Sequence, residues 1–141
     1  MCDPSCFPST LYMPTPEASP HIQSFRDLQV WQRAMDLSVA VYHFTETLPS
    51  PEQFGLCSQL RRSSVSVPSN IAEGQGRLNS AEFRQFLAIA RGSNCELQTQ
   101  LELSRRLRFG DASRLQAAVE LSHEVGKMLY ALIHALPRTR H

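Results

Sequence analysis

The stretch from Asn79 to Asp111, NSAEFRQFLAIARGSNCELQTQLELSRRLRFGD, decides the fold. Phe83, Phe86, Leu87, Ala90, Leu97 and Leu101 return every three or four residues, the spacing that stacks side chains on one face of an α-helix. Asn79 stands three residues ahead of Glu82, the spacing of a capping box with Asn in place of Ser or Thr, and opens the helix. Gly110 and Asp111 end it and cap the next one. At about 1.5 Å per residue such a helix is roughly 40 Å long, and its apolar face needs partners of similar length.

Those partners lie on either side. Downstream, Leu115, Ala118, Val119, Ser122, Val125, Leu129, Leu132, Ile133 and Leu136 form the stripe of a fourth helix that Pro137 closes. Upstream, a second helix starts after Pro51, with Glu52 in its first turn and Cys57, Leu60, Ser64, Val67 and Ile71 on one face. It ends at Gly74-Gln75-Gly76, where glycine accepts left-handed backbone. A first helix begins at Phe25 and carries Val30, Ala34, Leu37, Val41, Phe44 and Leu48, with a second apolar line through Leu28, Trp31, Met35 and Tyr42. Pro49 and Pro51 forbid its continuation. No segment alternates as a strand would. Four amphipathic helices on short links predict an all-α, antiparallel, up-down-up-down bundle over residues 25–137.

Residues 1–24 hold Pro4, Pro8, Pro14, Pro16 and Pro20, no Lys or Arg and no periodic pattern, and read as a flexible proline-rich tail. Residues 138–141 read as a short C-terminal tail. The 141-residue chain carries a net charge of +1 from 14 basic and 13 acidic side chains. Setting aside Asp3 and Glu17 of the tail leaves 11 acidic groups against 14 basic ones, +3. All basic residues but Lys127 are Arg. No apolar run reaches the roughly 18 residues of a membrane span, and nothing near the start resembles a secretory leader, so a cytoplasmic protein without membrane partners is expected. Cys2 and Cys6 lie in the tail and Cys57 and Cys95 within helical patterns, which favours free thiols over a disulfide framework. His21, His43, His123, His134 and His141 are scattered, so neither a structural metal nor a cofactor is expected.

Catalytic motifs are missing as well. Gly74-Gln75-Gly76-Arg77-Leu78-Asn79 has Asn where a phosphate loop needs a third glycine, and it follows a helix instead of a strand. There is no Walker lysine, zinc-binding His-Glu-x-x-His or Gly-x-Ser-x-Gly elbow. Glu73 and Glu96 could pair across helices, but the Glu-x-x-His partners of a di-iron bundle are absent. The expectation is a protein that is not an enzyme.

Two residues break local rules. Pro68 sits inside the second helix and removes the hydrogen bond to the Ser64 carbonyl, at a cost of roughly 3 kcal/mol. One reading is a kinked core helix whose serines satisfy the freed backbone; the other is a groove or subunit contact shaped around Pro68, Asn70 and Glu73. Gly92, in the third helix, costs about 1 kcal/mol against Ala and suggests, with Ser93, close approach of a neighbouring helix.

The third helix also carries two unlike flanks. Residues seven apart drift by only about 20°, so Arg84, Arg91, Gln98 and Arg105 form a line, with Arg77 entering from the preceding loop. One reading is a basic strip for the phosphates of RNA or DNA. The other is salt bridging to Glu73, Glu46, Glu120 or Glu124, between helices or between subunits, or simple solvation. On the opposite flank, Ile89, Leu103 and Leu107 lie too far round to face the bundle interior, and the surplus apolar surface predicts a closed homo-oligomer.

Taken together, Phe25 to Ala34 (FRDLQVWQRA), Gln59 to Ser63 (QLRRS), Ser66 to Gly74 (SVPSNIAEG), Gly92-Ser93 and Glu96 to Leu101 (ELQTQL) resemble the four-helix-bundle family encoded in 23S ribosomal RNA intervening sequences. The resemblance covers about residues 25–136. It implies an antiparallel bundle that assembles as a ring-shaped homopentamer. It also implies a likeness to the accessory variability proteins of diversity-generating retroelements, which bind nucleic acid and a reverse transcriptase, a nucleic-acid-processing protein, through a basic surface. It does not extend to the Cys-containing tail. Two functional expectations follow: an assembly or protein-interaction module, or a nucleic-acid-binding adaptor presenting an arginine strip on a ring.

Overall fold

The computed structural model describes residues 22–138; the expectations placed on residues 1–21 and 139–141 lie outside the described residues. Four helices account for the architecture: α1 (Gln29–Thr45), α2 (Leu56–Gly76), α3 (Ser80–Arg106) and α4 (Ala112–Ala135). No strand occurs among the described residues. Helix α1 packs on α2 and α4, and α3 packs on the same two, while the backbones of α1 and α3 do not approach each other closely. The four therefore stand at the corners of a square, with α1 and α3 on one diagonal. At one end the Asp111 backbone N–H donates to Thr47 Oγ1 at 2.9 Å and Arg114 donates to the His43 carbonyl at 3.0 Å. At the other, Arg84 of α3 donates to the Leu136 carbonyl after α4 at 3.2 Å. Successive helices thus run in opposite directions, and the fold is the expected all-α antiparallel bundle.

The core follows the periodic residues. Leu37, Val41 and Phe44 from α1, Leu60, Val67 and Ile71 from α2, Leu87, Leu97 and Leu101 from α3, and Val125 and Leu129 from α4 are fully buried. At about 25 cal/mol per Å² of apolar surface removed from water, each such side chain contributes roughly 1.5–3 kcal/mol.

Several boundaries differ from the sequence expectation. The folded part begins before residue 25, because Ser24 and Asp27 form a reciprocal capping box around a single 3-10 turn, Phe25–Asp27. Leu28 then stands at the N-cap position of α1 without a side-chain hydrogen bond, and α1 stops at Thr45, short of Leu48. Pro51 lies in a 3-10 turn, Ser50–Glu52, and α2 starts only at Leu56; Glu52 acts from outside, its Oε2 accepting from the Leu56 N–H at 3.4 Å. Helix α3 ends at Arg106, ahead of Gly110, and the reversal passes through left-handed Arg108 (φ 57°) and Gly110 (φ 72°).

The glycines of Gly74-Gln75-Gly76 do not supply the left-handed residue after α2; Leu78 does, at φ 57°. Gly74 has a different use, since a Cβ there would lie 2.6 Å from Phe86 Cβ, so its hydrogen lets α3 close on α2. Asn79 caps α3 by accepting from the Ala81 and Glu82 N–H groups at 2.9 and 3.1 Å.

Helix α2 runs unbroken through the buried Pro68. The carbonyl it frees, Ser64, accepts a 2.8 Å hydrogen bond from the buried Ser38 hydroxyl of α1. A neighbouring helix thus replaces the lost donor, and the buried carbonyl is satisfied. Ser63 donates to Gln100 at 2.7 Å, and the Ser66 and Ser93 hydroxyls meet at 2.7 Å, joining α2 to α3.

Candidate functional site

The arginines of α3, and Arg77 at the end of α2, are placed by helical spacing, but their charges are not pooled. Arg77 pairs with Glu73 at 3.2 Å and lies over the Phe86 ring at 5.2 Å. Arg84 is half-buried and spent on the Leu136 carbonyl, a cation against the negative end of α4. Arg105 grips Glu102 through both Nε and Nη2, and Arg106 donates to the same carboxylate. These two guanidinium groups hold the Glu102 carboxyl down to about 2. Arg91 has no carboxylate partner among the described residues; its guanidinium lies 5.6 Å from the Tyr130 ring centre.

The other acidic groups named as partners are engaged elsewhere. Glu46 pairs with Arg114 at 3.8 Å and Glu124 with Arg33 at 2.8 Å, while Gln116 donates to Glu120 at 3.3 Å. Arg33 lowers the Glu124 carboxyl, mainly by hydrogen bonding.

The kink residues do not converge. Pro68 is buried, Asn70 donates to the Ser66 carbonyl at 2.8 Å, and Glu73 is exposed beside Arg77. Positions 68 and 70 differ by about 200° around the helix, so they face opposite ways.

Ile89, Leu103 and Leu107 are 47%, 47% and 49% exposed. Gly92 lies between the first two on the same flank, and a Cβ there would meet nothing within 4 Å. None of the described helices uses the close approach expected at Gly92. On α1, the diagonal helix, Met35, Val39 and Tyr42 form a second exposed apolar stripe, 40–53% exposed, and Arg61 lies over Tyr42 at 4.6 Å. Met35 and Tyr42 were visible in the second apolar line of α1. Val39 was not, because its exposure depends on where α2 and α4 sit.

Between α3 and α4 lies a cleft of about 380 Å³ lined by Arg91, Asn94, Cys95, Gln98, His123, Gly126, Lys127 and Tyr130. Asn94 is 2% exposed. Its Nδ2 donates to the Ser122 carbonyl at 2.9 Å, and Gln98 Nε2 donates to the same oxygen at 3.2 Å. Asn94 Oδ1 is buried with no partner. Gly126 keeps the cleft open, since a Cβ there would stand 3.2 Å from Asn94 Nδ2. The sequence offered one clue to this place: Asn94 is an amide four residues after the core residue Ala90, where an apolar side chain would continue the stripe.

No group of three or more His, Cys, Asp or Glu residues suited to a metal ion occurs among the described residues. No described helix is long and apolar enough to cross a membrane.

Residues 26–131 match the family model of the 23S rRNA-intervening sequence protein. Among solved structures, the chain is similar to a protein of unknown function from the S23 ribosomal protein family of Bacteroides thetaiotaomicron. The TM-score is 0.69 at 24% identity, over 75% of this chain and 96% of that one, a likeness in fold. No curated protein matches the chain.

Proposed function

Because the chain belongs to the 23S rRNA-intervening sequence protein family, we propose that it is a non-catalytic, self-associating interaction module whose copies form a closed ring. The observation that carries this reading is the pair of unlike apolar faces, Ile89, Leu103 and Leu107 on α3 and Met35, Val39 and Tyr42 on α1, set on diagonally opposite helices. An isologous dimer covers one patch with itself. Two different patches on opposite sides suit a heterologous, head-to-tail contact, which closes into a ring when the rotation per subunit allows. The homopentamer implied by the family resemblance is one such ring. Open space above Gly92 adds a place where a second backbone fits closely.

The adaptor reading, with its likeness to retroelement accessory proteins, draws less support, since Arg77 and Arg105 rest on carboxylates and Arg84 on a carbonyl. Sedimentation velocity on the full chain, with RNA and DNA binding measured in parallel, tests both. The module reading expects a single species several times the 15.9 kDa monomer. A monomer at all concentrations overturns it, and nucleic-acid binding lost on Arg84→Ala with Arg91→Ala while assembly persists favours the adaptor.

A further inference from the structure

The α3–α4 cleft has the makings of a ligand site apart from the apolar faces: it takes Arg91 and Gln98 from the arginine line and joins them to Lys127 and His123 of α4. Its lining includes two cations, Arg91 and Lys127, together with His123, and no carboxylate. Neither Arg91 nor Lys127 has a salt-bridge partner among the described residues. Glu124, three residues before Lys127, is occupied by Arg33 at 2.8 Å, and Glu102, four residues beyond Gln98, is held by Arg105 and Arg106. An anion entering the cleft therefore meets uncompensated positive charge, with a guanidinium fork on one wall and an ammonium on the other.

The second observation is Asn94, a 2%-exposed side chain lining the cleft whose Oδ1 has no hydrogen-bond donor. A buried acceptor left unpaired costs about 1–3 kcal/mol, so it selects for something that donates to it. The Asn94 and Gln98 amide nitrogens are both directed at the Ser122 carbonyl, and no donor of the described residues reaches Asn94 Oδ1. Gly126 contributes by the absence of a side chain, and the resulting volume, about 380 Å³, lies in the range of small-molecule sites. Tyr130 offers no free platform for a base, since Arg91 lies over its ring and His134 lies 3.9 Å from it, centroid to centroid.

We propose that this cleft binds a phosphate or phosphomonoester group, with Arg91 and Lys127 holding its anionic oxygens and a hydroxyl of the ligand donating to Asn94 Oδ1. The cleft opens between α3 and α4, and Cys95 and Gln98 at its edge also border the groove beside Leu103, so binding is measured together with the sedimentation profile.

Isothermal titration calorimetry on the full chain, with inorganic phosphate and ribose 5-phosphate as probes and sulfate as the anion lacking a donor, tests it. Phosphate is expected to bind saturably and about tenfold or more tighter than sulfate, the value of one charged hydrogen bond. Arg91→Ala with Lys127→Ala, both exposed positions, is expected to weaken binding by about tenfold or more while leaving the circular-dichroism melt and the sedimentation profile unchanged. Cys95, an exposed free thiol in the lining, supplies an independent readout: phosphate should slow its alkylation by iodoacetamide, followed at the peptide level. A phosphorylated RNA end that outcompetes ribose 5-phosphate assigns the group to nucleic acid, and the reverse order assigns it to a small ester. Equal affinity for sulfate and phosphate, binding unchanged in the double variant, or no binding of either phosphate probe overturns the proposal.

Discussion

At the scale of single residues, the most informative contact is the hydroxyl of Ser38 on the carbonyl that Pro68 leaves free, at 2.8 Å. Ser38→Ala is expected to cost about 1–3 kcal/mol, because it orphans a buried acceptor. In a Pro68→Ala background the helix recovers its own N–H donor to Ser64, and the cost of Ser38→Ala should shrink; a double-mutant cycle by chemical denaturation reads the coupling. A cycle without coupling would show that the two residues act separately. The proline and the serines were plain in the sequence. That the donor comes from α1 was not, because residues 26 positions apart meet only through packing. Leu78 is another local conflict, a 90% exposed leucine at φ 57°. Leu78→Gly relieves the left-handed strain, less the entropy glycine loses, and should raise stability by up to about 1 kcal/mol in thermal unfolding.

Among elements, the approach of α2 to α3 depends on Gly74, and the two glycines near that interface should respond in opposite ways. Gly74→Ala pushes a methyl group onto Phe86 Cβ, 2.6 Å away, and should destabilise by about 1–3 kcal/mol, the usual range for overpacking. Gly92→Ala meets open space within the chain and should stabilise the dissociated subunit by up to about 1 kcal/mol through helix propensity. Matched melts of the two variants make the comparison, and equal signs would contradict it. The end of α3 is also sensitive to acid. Glu102 is lowered from an ordinary 4.5 to about 2, chiefly by hydrogen bonds from Arg105 and then Arg106. A depressed carboxyl adds stability that is complete above its unfolded value and is lost as pH falls from about 4.5 through about 2. The wild-type chain should therefore lose more stability across that window than Glu102→Gln. The difference should fade in high salt, because the pair is exposed.

For the whole molecule, the prediction concerns assembly. Leu103→Glu on α3 and Val39→Glu on α1 each place a charge on an exposed apolar face, and in a head-to-tail ring either one should dissociate the oligomer. Mixing the two variants leaves one intact face on each, so light scattering should show a stoichiometric heterodimer and no larger species. Restoration of the full oligomer would exclude this pairing of faces. Much of the architecture was legible beforehand, since four stripes of period 3.6, two proline stops and a few capping residues determine helices of these lengths, and short links leave antiparallel neighbours as the economical packing. The arginine line and the exposed Ile89, Leu103 and Leu107 were legible for the same reason: position around a helix is a property of the local chain. Tertiary structure alone decided which charges stay free, because Arg84 meets Leu136 and Arg33 meets Glu124 across helices, leaving Arg91 without a carboxylate. It alone made the cleft, where Asn94, Gly126 and Lys127 come together from two helices whose relative rotation and spacing are set by packing. Sequence periodicity determines the face on which a side chain stands, and the neighbouring helices determine what that side chain meets.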